Sequence, residues 1–391
     1  MLPVNSGVFL PPAFQKMGDG GRRIRYHGSM QSASLRKWLL ALTLLAVILW
    51  TIVHFYNLNA QKAGTTTRII LEPQDDFSYH KTNFLASQPQ KPAADAGPQN
   101  NSQSKVEEWL ALHHRSADSL LAAFHVLNDT NYLKEAATNF PNNPQVDLAV
   151  LARNAFPEDR RKWLDLFQAS SPSNSLANYL SAQTYFQNGQ SEAAVKDLVA
   201  ATGKPQFENY TLDSQLDAEE LGLFLGKSAL ASTQTALAGS SGDTLPELAT
   251  LKQLASQMGD LQKQELNVGD NNSAENLAQM GMLLGSQLGS GNSGDYIINQ
   301  QVGIAVESRM LDQLDPNTSY DFLGGETAGQ RLQEIKQQLA ILNQLVQGYA
   351  AVQPTLTDAE KVSYRERVKI YGEVTAMRWL VQQHGNPQSS P

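Results

Sequence analysis

Apolar residues recur at intervals of three or four along the chain from about Val106 nearly to its end. The first run comprises Val106, Trp109, Leu110, Ala117, Leu120, Leu121 and Phe124. This spacing places the side chains on one face of an α-helix that continues through residue 124. Similar spacing after Gln206 predicts helices over 217–237, 244–263, 273–288, 297–314, 327–350 and 357–384. Stretches rich in Gly and Ser at 239–243 and 289–295 are expected to join helices.

Three short motifs predict where helices begin. Ser104 with Glu107, Thr244 with Glu247, and Thr357 with Glu360 each have the spacing of a capping box. In that motif the hydroxyl accepts a hydrogen bond from the backbone amide of the third helical residue, whose side chain bonds back to the cap. The sequence therefore indicates an all-α folded region.

The last two predicted helices have complementary apolar stripes. The first stripe comprises Leu332, Ile335, Leu339, Leu342, Val346 and Tyr349, and the second comprises Tyr364, Val368, Tyr371 and Val374. Because Pro354 interrupts the chain between them, we expect an antiparallel helical hairpin that closes the domain. A dimerisation surface is the alternative interpretation of the same stripes.

A different pattern occupies residues 38–56, where 19 residues include only three polar ones, Thr43, Thr51 and His54. As a helix this segment would span roughly 28 Å at ~1.5 Å per residue, close to the ~30 Å hydrocarbon core of a bilayer. Aromatic residues near both ends are typical of membrane interfaces. A cleaved signal peptide and a buried core helix remain alternatives, although 37 residues precede the segment and the segment is long for a signal peptide.

The charges around this segment predict its orientation. Six Lys or Arg residues and one acid lie within residues 1–56, and all six precede the apolar segment. Because positive flanks stay in the cytoplasm, we expect residues 1–37 to form a disordered basic cytoplasmic tail. Residues 57–104, rich in Pro, Gln and Asn toward their end, are expected to be a flexible stalk. The folded region would then be exported, and residues 385–391 would form a disordered tail.

Composition narrows the function classes. The chain contains no cysteine, which excludes disulfides, thiolate metal sites and cysteine nucleophiles. Removing residues 1–56 from the totals of 30 basic and 38 acidic residues leaves 24 and 37. An acidic balance of this kind offers no electrostatic footprint for nucleic acid.

Residues 178–205 carry a repeat-like pattern. Ala182, Tyr185, Gly189, Ala194, Leu198 and Ala201 alternate small, aromatic, glycine and large positions in the order expected for two closely packed helices joined by a turn. The stretch resembles a tetratricopeptide repeat, a helix–turn–helix unit of about 34 residues. Fainter copies precede it, with Leu133, Ala136 and Pro141 echoed by Leu164, Phe167 and Pro172. A generic helical hairpin remains the alternative.

The resemblance implies a right-handed solenoid of helical hairpins over residues 105–206, followed by a helical region over 207–384. It also implies that a binding groove is lined by the first helix of each unit. In the well-matched unit the lining residues would be Tyr179, Gln183, Phe186 and Gln187.

Motifs for catalysis or cofactors are weak. Gly222–Ser228 has three residues between its glycines where a phosphate-binding loop needs four, and no strand is predicted before it. Ser102 and Lys105 match the first motif of penicillin-interacting enzymes, but no Lys-Thr-Gly follows. On one continuous helix Glu107, His114, Asp118 and His125 would share a face, without a third metal ligand in proper reach. We expect no cofactor, no metal and no enzymatic activity.

The sequence thus favours a single-pass protein of a bacterial inner membrane, with its C-terminal domain in the periplasm. Residues 38–56 would contact the lipid bilayer, and the repeat groove would bind other proteins or peptides as a scaffold or adaptor. One alternative is an exported enzyme acting on cell-wall polymer, with Glu219 or Glu326 as general acid. The other is a homo-oligomeric membrane component assembled through the C-terminal hairpin.

Overall fold

A computed structural model describes residues 99–290 and 296–385. The prediction of an all-α fold is confirmed for these residues, which contain helices and no β-strand. Among the described helices, none combines the length and apolar character needed to cross a bilayer. The predicted tail 1–37, the membrane segment 38–56 and most of the stalk lie outside the described residues, as do the joint at 291–295 and residues 386–391.

Fourteen α-helices make up the described part of the chain. They are α1 Gln99–Leu112, α2 Ala117–Leu127, α3 Thr130–Asn139, α4 Pro144–Arg153, α5 Arg160–Ser170, α6 Leu176–Gln187, α7 Ser191–Thr202, α8 Thr211–Phe224, α9 Ala229–Val268, α10 Asn271–Gly289, α11 Ile297–Leu311, α12 Ala328–Val352, α13 Asp358–Tyr371 and α14 Glu373–Gly385. Short 3₁₀ turns occupy Pro157–Asp159, Asp321–Leu323 and Gln353–Thr355.

Three consecutive helix pairs follow α1. Helices α2 and α3, α4 and α5, and α6 and α7 pack as hairpins, and each pair also contacts the next pair along the chain. The apolar positions that recur in the sequence all lie on the second helix of a pair: Leu133, Ala136, Leu164, Phe167, Leu198 and Ala201 are fully buried. The recurrence therefore marks equivalent core positions of successive hairpins.

Local sequence explains why these helices are short. Asp129 and Asn143 accept backbone amide hydrogen bonds at the starts of α3 and α4. Asn128 and Asn154 follow the ends of α2 and α4 with φ of 53° and 49°. Asparagine tolerates this left-handed conformation, so each residue stops a helix without a glycine.

The prediction of one continuous helix from residue 106 to residue 124 is wrong. Helix α1 begins at Gln99, before the predicted cap at Ser104, and ends at Leu112; His114 and Arg115 then adopt φ of 55° and 47°. The Arg115 guanidinium bonds Glu107 and Glu135 at 2.6 Å each. The bend uses no glycine or proline; its sequence signal is Ser116, whose hydroxyl caps α2 by accepting a hydrogen bond from the Ser119 amide.

The predicted joint at 239–243 is helical instead, and no helix starts at Thr244. Helix α9 runs unbroken for 40 residues past both positions and through Pro246. The glycines serve packing: a β-carbon at Gly239 would lie 2.7 Å from the backbone oxygen of His125, and one at Gly242 would overlap the Arg153 guanidinium. The predicted helix over 217–237 is instead divided between α8 and α9 by a turn containing Gly226, whose φ is 84°.

Helices α10 and α11 approach each other most closely through glycine. A β-carbon at Gly285 would lie 2.7 Å from the Gly303 carbonyl oxygen, and one at Gly303 would overlap the Gly285 carbonyl oxygen. Only glycine permits this backbone contact. Helix α12 in turn packs against α11, so the α10–α11 pair supports the second half of the fold.

The C-terminal helices match their prediction in part: among them, α12 packs mainly against α14, and Tyr371 of the second predicted stripe is 57% exposed. The capping box of Thr357 and Glu360 is confirmed, and Thr327 forms a second one with Gln330. The predicted last helix is divided at Gly372, whose φ is 78°. Helix α12 packs against α14 and buries Ile335, Leu342, Val346 and Tyr349 of its apolar stripe within the chain.

Candidate functional site

Tyr179, the first predicted groove residue, lies inside the fold. Its side chain is 1% exposed, and its hydroxyl donates a hydrogen bond to Oε1 of Gln287 on α10 at 2.8 Å. Ser175 donates to the same oxygen at 3.0 Å. Burial raises the pKa of Tyr179 above its ordinary value, so the phenol stays neutral. Tyr179 thus joins α6 to a helix more than 100 residues away.

The other three predicted residues follow the same face of α6 toward its end. Gln183 is 1% exposed, and neither of its amide atoms has a hydrogen-bond partner among the described residues. Phe186 is half-buried against the core, and the exposed Gln187 lies 3.5 Å from Gln253 of α9. Helix α6 therefore brings the four residues together, but α9 of the same chain packs against α6, and α10 reaches Tyr179 through Gln287. A partner could reach Tyr179 or Gln183 only after these helices moved.

An open groove lies on the other helix of this hairpin. We call it the α7/α10 groove; its volume is about 1160 Å³, and it extends from α7 across α10 to the segment that precedes α12. Its apolar lining consists of Val195, Val199, Leu261, Leu277, Met280, Met282, Leu283, Phe322 and Leu323. Most of these side chains are half-buried, and Val199 is 57% exposed. The volume exceeds the range of about 300–1,000 Å³ typical of small-molecule pockets.

Two turns of α7 explain how the sequence builds this surface. Ala194, Leu198 and Ala201 face the interior of the hairpin and are fully buried. Val195 and Val199 are four residues apart, one position beyond two of the core residues, and line the groove. This second apolar stripe was the available signal for the site, and a search limited to the core positions of the repeat overlooks it.

The positively charged residue that lines the groove, Arg331, is already held in ion pairs. Arg331 contacts Glu307 at 3.0 Å and Glu334 at 3.1 Å. Burial raises the pKa of Glu307, and the adjacent Arg331 opposes that change. The remaining polar lining includes Glu265 and Glu326, neither of which forms an ion pair within the described residues.

A smaller lobe of about 460 Å³ continues the groove past Phe322. Glu275 and Asp321 lie along it. Its outer wall is held by Tyr320, whose hydroxyl accepts a hydrogen bond from the Asp315 amide at 3.1 Å. An isolated antiparallel bridge between Ser319 and Thr327 closes the base of this segment. The wall is therefore fixed by local hydrogen bonds.

Glu219, a candidate general acid, is part of an internal ion-pair network. Lys369 contacts its carboxylate at 2.7 Å, Thr233 donates a hydrogen bond to it, and Arg365 lies 3.6 Å away. Burial alone would raise the pKa of Glu219, but the bonds from Lys369 and Thr233 and the charge of Arg365 lower it overall. Such a carboxylate carries no proton to donate near neutral pH. The second candidate, Glu326, lies at the edge of the groove.

The possible metal-binding set is dispersed because α1 ends before His114. Glu107 pairs with Arg115 and accepts a hydrogen bond from Tyr132. His125 is buried and contacts Asp243 of α9 at 2.6 Å. Within the described residues, no group of three or more His, Asp or Glu side chains could hold a metal ion.

The chain was also compared with known proteins. No protein-family model matches it, and neither the curated proteins nor the solved structures yielded a match.

Proposed function

We propose that the chain is a membrane-anchored adaptor whose helical domain binds a segment of another protein in the α7/α10 groove. The observation that carries this proposal is the groove itself, which is large, apolar along its floor and open at the surface. Exposed apolar patches bordered by polar residues are typical of protein-binding surfaces. The protein would act by binding, with no cofactor.

The helix pairs support a tetratricopeptide-like solenoid for residues 105–206. Three hairpins follow one another in chain order, and the recurring sequence positions occupy the same place in each. In a stack of this kind each unit buries its apolar face against its neighbour. The proposal places the binding surface on α7 and α10, because α9 packs against α6 and α10 reaches Tyr179 through Gln287.

The anchor rests on the sequence of residues 38–56. A 19-residue apolar segment preceded by six positive charges favours a cytoplasmic N-terminus and an exported domain. A bacterial inner membrane, with the domain in the periplasm, is the location that we propose. A homo-oligomer would have to use surface outside the buried α12 stripe, such as Ile341, which is 59% exposed.

Site-specific photo-crosslinking tests this function in cells that produce the full-length protein. A photoreactive residue at Val199 should crosslink another protein, and one at Leu245 on α9 should not. The two positions form a matched pair because each native side chain is 57% exposed.

The crosslink formed from Thr202, at the edge of the groove, should disappear with Val199→Glu and persist with Leu245→Glu. Equal crosslinking from Val199 and Leu245, or a crosslink that survives Val199→Glu, would contradict the assignment of the groove.

A further inference from the structure

The α7/α10 groove has an acidic rim around an apolar floor. Glu265 and Glu326 lie along its main part, and Glu275 and Asp321 lie along the adjoining lobe. None of these four carboxylates forms an ion pair with another described residue. The rim therefore carries negative charge that the fold itself does not neutralise.

The cation in the lining leaves this charge largely in place. Arg331 is held by Glu307 and Glu334 at 3.0 and 3.1 Å. Its charge is shared between those two carboxylates, so the rim remains acidic. A negatively charged occupant would meet repulsion along the groove, whereas a positively charged one would be attracted.

The secondary structure of the groove walls indicates which backbone conformation a bound segment would adopt. They consist of helices and one short 3₁₀ turn, and the described residues offer no strand edge to which a peptide strand could add. Met280 and Met282 contribute to the floor. Methionine side chains adapt to an apolar partner of variable shape, as in other grooves that accept helices.

We propose that the occupant is a basic amphipathic helix of a partner protein, with its apolar stripe on the floor and its Lys or Arg residues against the acidic rim. This inference rests on the proposed function for the location of the site and adds the chemistry of the partner. Lysine and arginine suit the rim because their stems can follow apolar surface while their charges reach the carboxylates.

Because the chain contains no native cysteine, a single introduced cysteine can carry a fluorophore at one chosen position. Thr202→Cys, in full-length protein reconstituted into zwitterionic nanodiscs, places an environment-sensitive fluorophore at the groove edge. The probes are two synthetic 14-residue peptides with the same leucine stripe, one with lysine and one with glutamate at all other positions. The lysine peptide should change the fluorescence saturably, and the glutamate peptide should bind at least about tenfold more weakly.

The rim is tested by Glu275→Lys/Glu326→Lys. This variant should weaken binding of the lysine peptide about tenfold or more. The control, Glu108→Lys/Glu158→Lys, changes the net charge equally at exposed positions outside the groove and should bind as the native protein does.

Equal binding of both peptides, unchanged binding by the rim variant, or no binding of the lysine peptide would each overturn the inference. The photo-crosslinking experiment separates this failure from failure of the proposed function. A crosslinked partner segment with more acidic than basic residues would refute the basic helix and retain the adaptor. Absence of any crosslink from Val199 in the otherwise native protein would refute both.

Discussion

Tyr179 donates a hydrogen bond to Gln287 across 2.8 Å, and the bond fastens the first helix of the third hairpin to α10. The two residues are 108 positions apart in the sequence. Because of this contact, only one face of the hairpin is available to a binding partner. The inner face of α6 is internal, and the outer face of α7 borders the open groove.

Removing the Tyr179 hydroxyl should weaken this junction by a measurable amount. Tyr179→Phe is expected to lower the free energy of unfolding by about 1 kcal/mol, the usual net value of one hydrogen bond. Tyr179→Ala should cost about 3–5 kcal/mol because it also leaves a cavity. Urea unfolding of the full-length protein measures both. Tyr185→Phe, at a half-buried tyrosine of the same helix, should change stability little, and an equal loss at both positions would argue against the Gln287 contact.

The contact between Gly285 and Gly303 predicts a large effect from a small change. Gly303→Ala should destabilise the protein by about 1–3 kcal/mol because the added methyl group would overlap the Gly285 carbonyl oxygen. Gly289→Ala is the matched control, since a β-carbon there meets nothing within 4 Å.

Gly289→Ala should be neutral or slightly stabilising because alanine loses less backbone freedom on folding. Thermal unfolding compares the two variants. A Gly303→Ala protein as stable as the native chain would show that α10 and α11 do not pack as described.

The buried carboxyl group of Asp147 leads us to expect that the folded state is more stable at mildly acidic pH. It is fully buried, Ser170 donates a hydrogen bond to it at 2.7 Å, and burial raises its pKa to about 7. Between pH 4 and 7 the folded state therefore holds a proton that the unfolded state has released. Stability should rise as the pH falls through this window, by up to about 1.4 kcal/mol per pH unit.

Asp147→Asn should flatten this pH dependence and stabilise the protein at pH 8. Glu247, whose pKa burial raises to about 8, contributes in the same direction, so the dependence should shrink without vanishing. Urea unfolding at pH 5 and pH 8 measures the slope, with the exposed Asp159→Asn as control. A native protein that loses stability from pH 8 to pH 5 would contradict the assignment.

Glu219 is predicted to stabilise the fold as an anion. Glu219→Gln should cost about 3–5 kcal/mol because Lys369 and Arg365 would lose their buried counter-charge. The pKa of Glu219 is lowered, so its contribution is present above the ordinary glutamate range and lost as the pH falls below it.

Glu366→Gln is the comparison, since Glu366 also contacts Lys369, at 2.8 Å, but is 56% exposed. It should cost no more than about 1 kcal/mol. Equal losses in the two variants would show that Glu219 is not a buried partner of Lys369.

The all-α fold and many helix positions could be predicted from the sequence because apolar spacing and capping motifs are local signals. Thr357 with Glu360 is one such signal that the structure confirms. The bend at His114 and Arg115 was missed because the apolar spacing continues across it, although Ser116 is a local capping signal for the start of α2. The ion pairs from Arg115 to Glu107 and Glu135 at this bend form only in the folded chain.

The predicted helix joint at 239–243 was wrong because the glycines there allow close packing inside a helix. Gly239 and Gly242 resemble a joint in the sequence but sit in the middle of α9, where they admit His125 and Arg153. The covered position of the predicted groove residues has a related cause. Tyr179 and Gln183 have the spacing of a groove lining, yet distant helices cover them, and no local pattern indicates which face such helices will take.

The central claim is that an exported domain presents the α7 face and encloses the α6 face. Single cysteines at Val199 and Gln183 in the otherwise cysteine-free full-length chain test it with a membrane-impermeant maleimide on cells whose outer barrier has been opened. We predict rapid labelling of Val199→Cys and protection of Gln183→Cys until the protein is denatured. Equal native labelling of both cysteines, or labelling of Val199→Cys only after the inner membrane is permeabilised, would contradict the account.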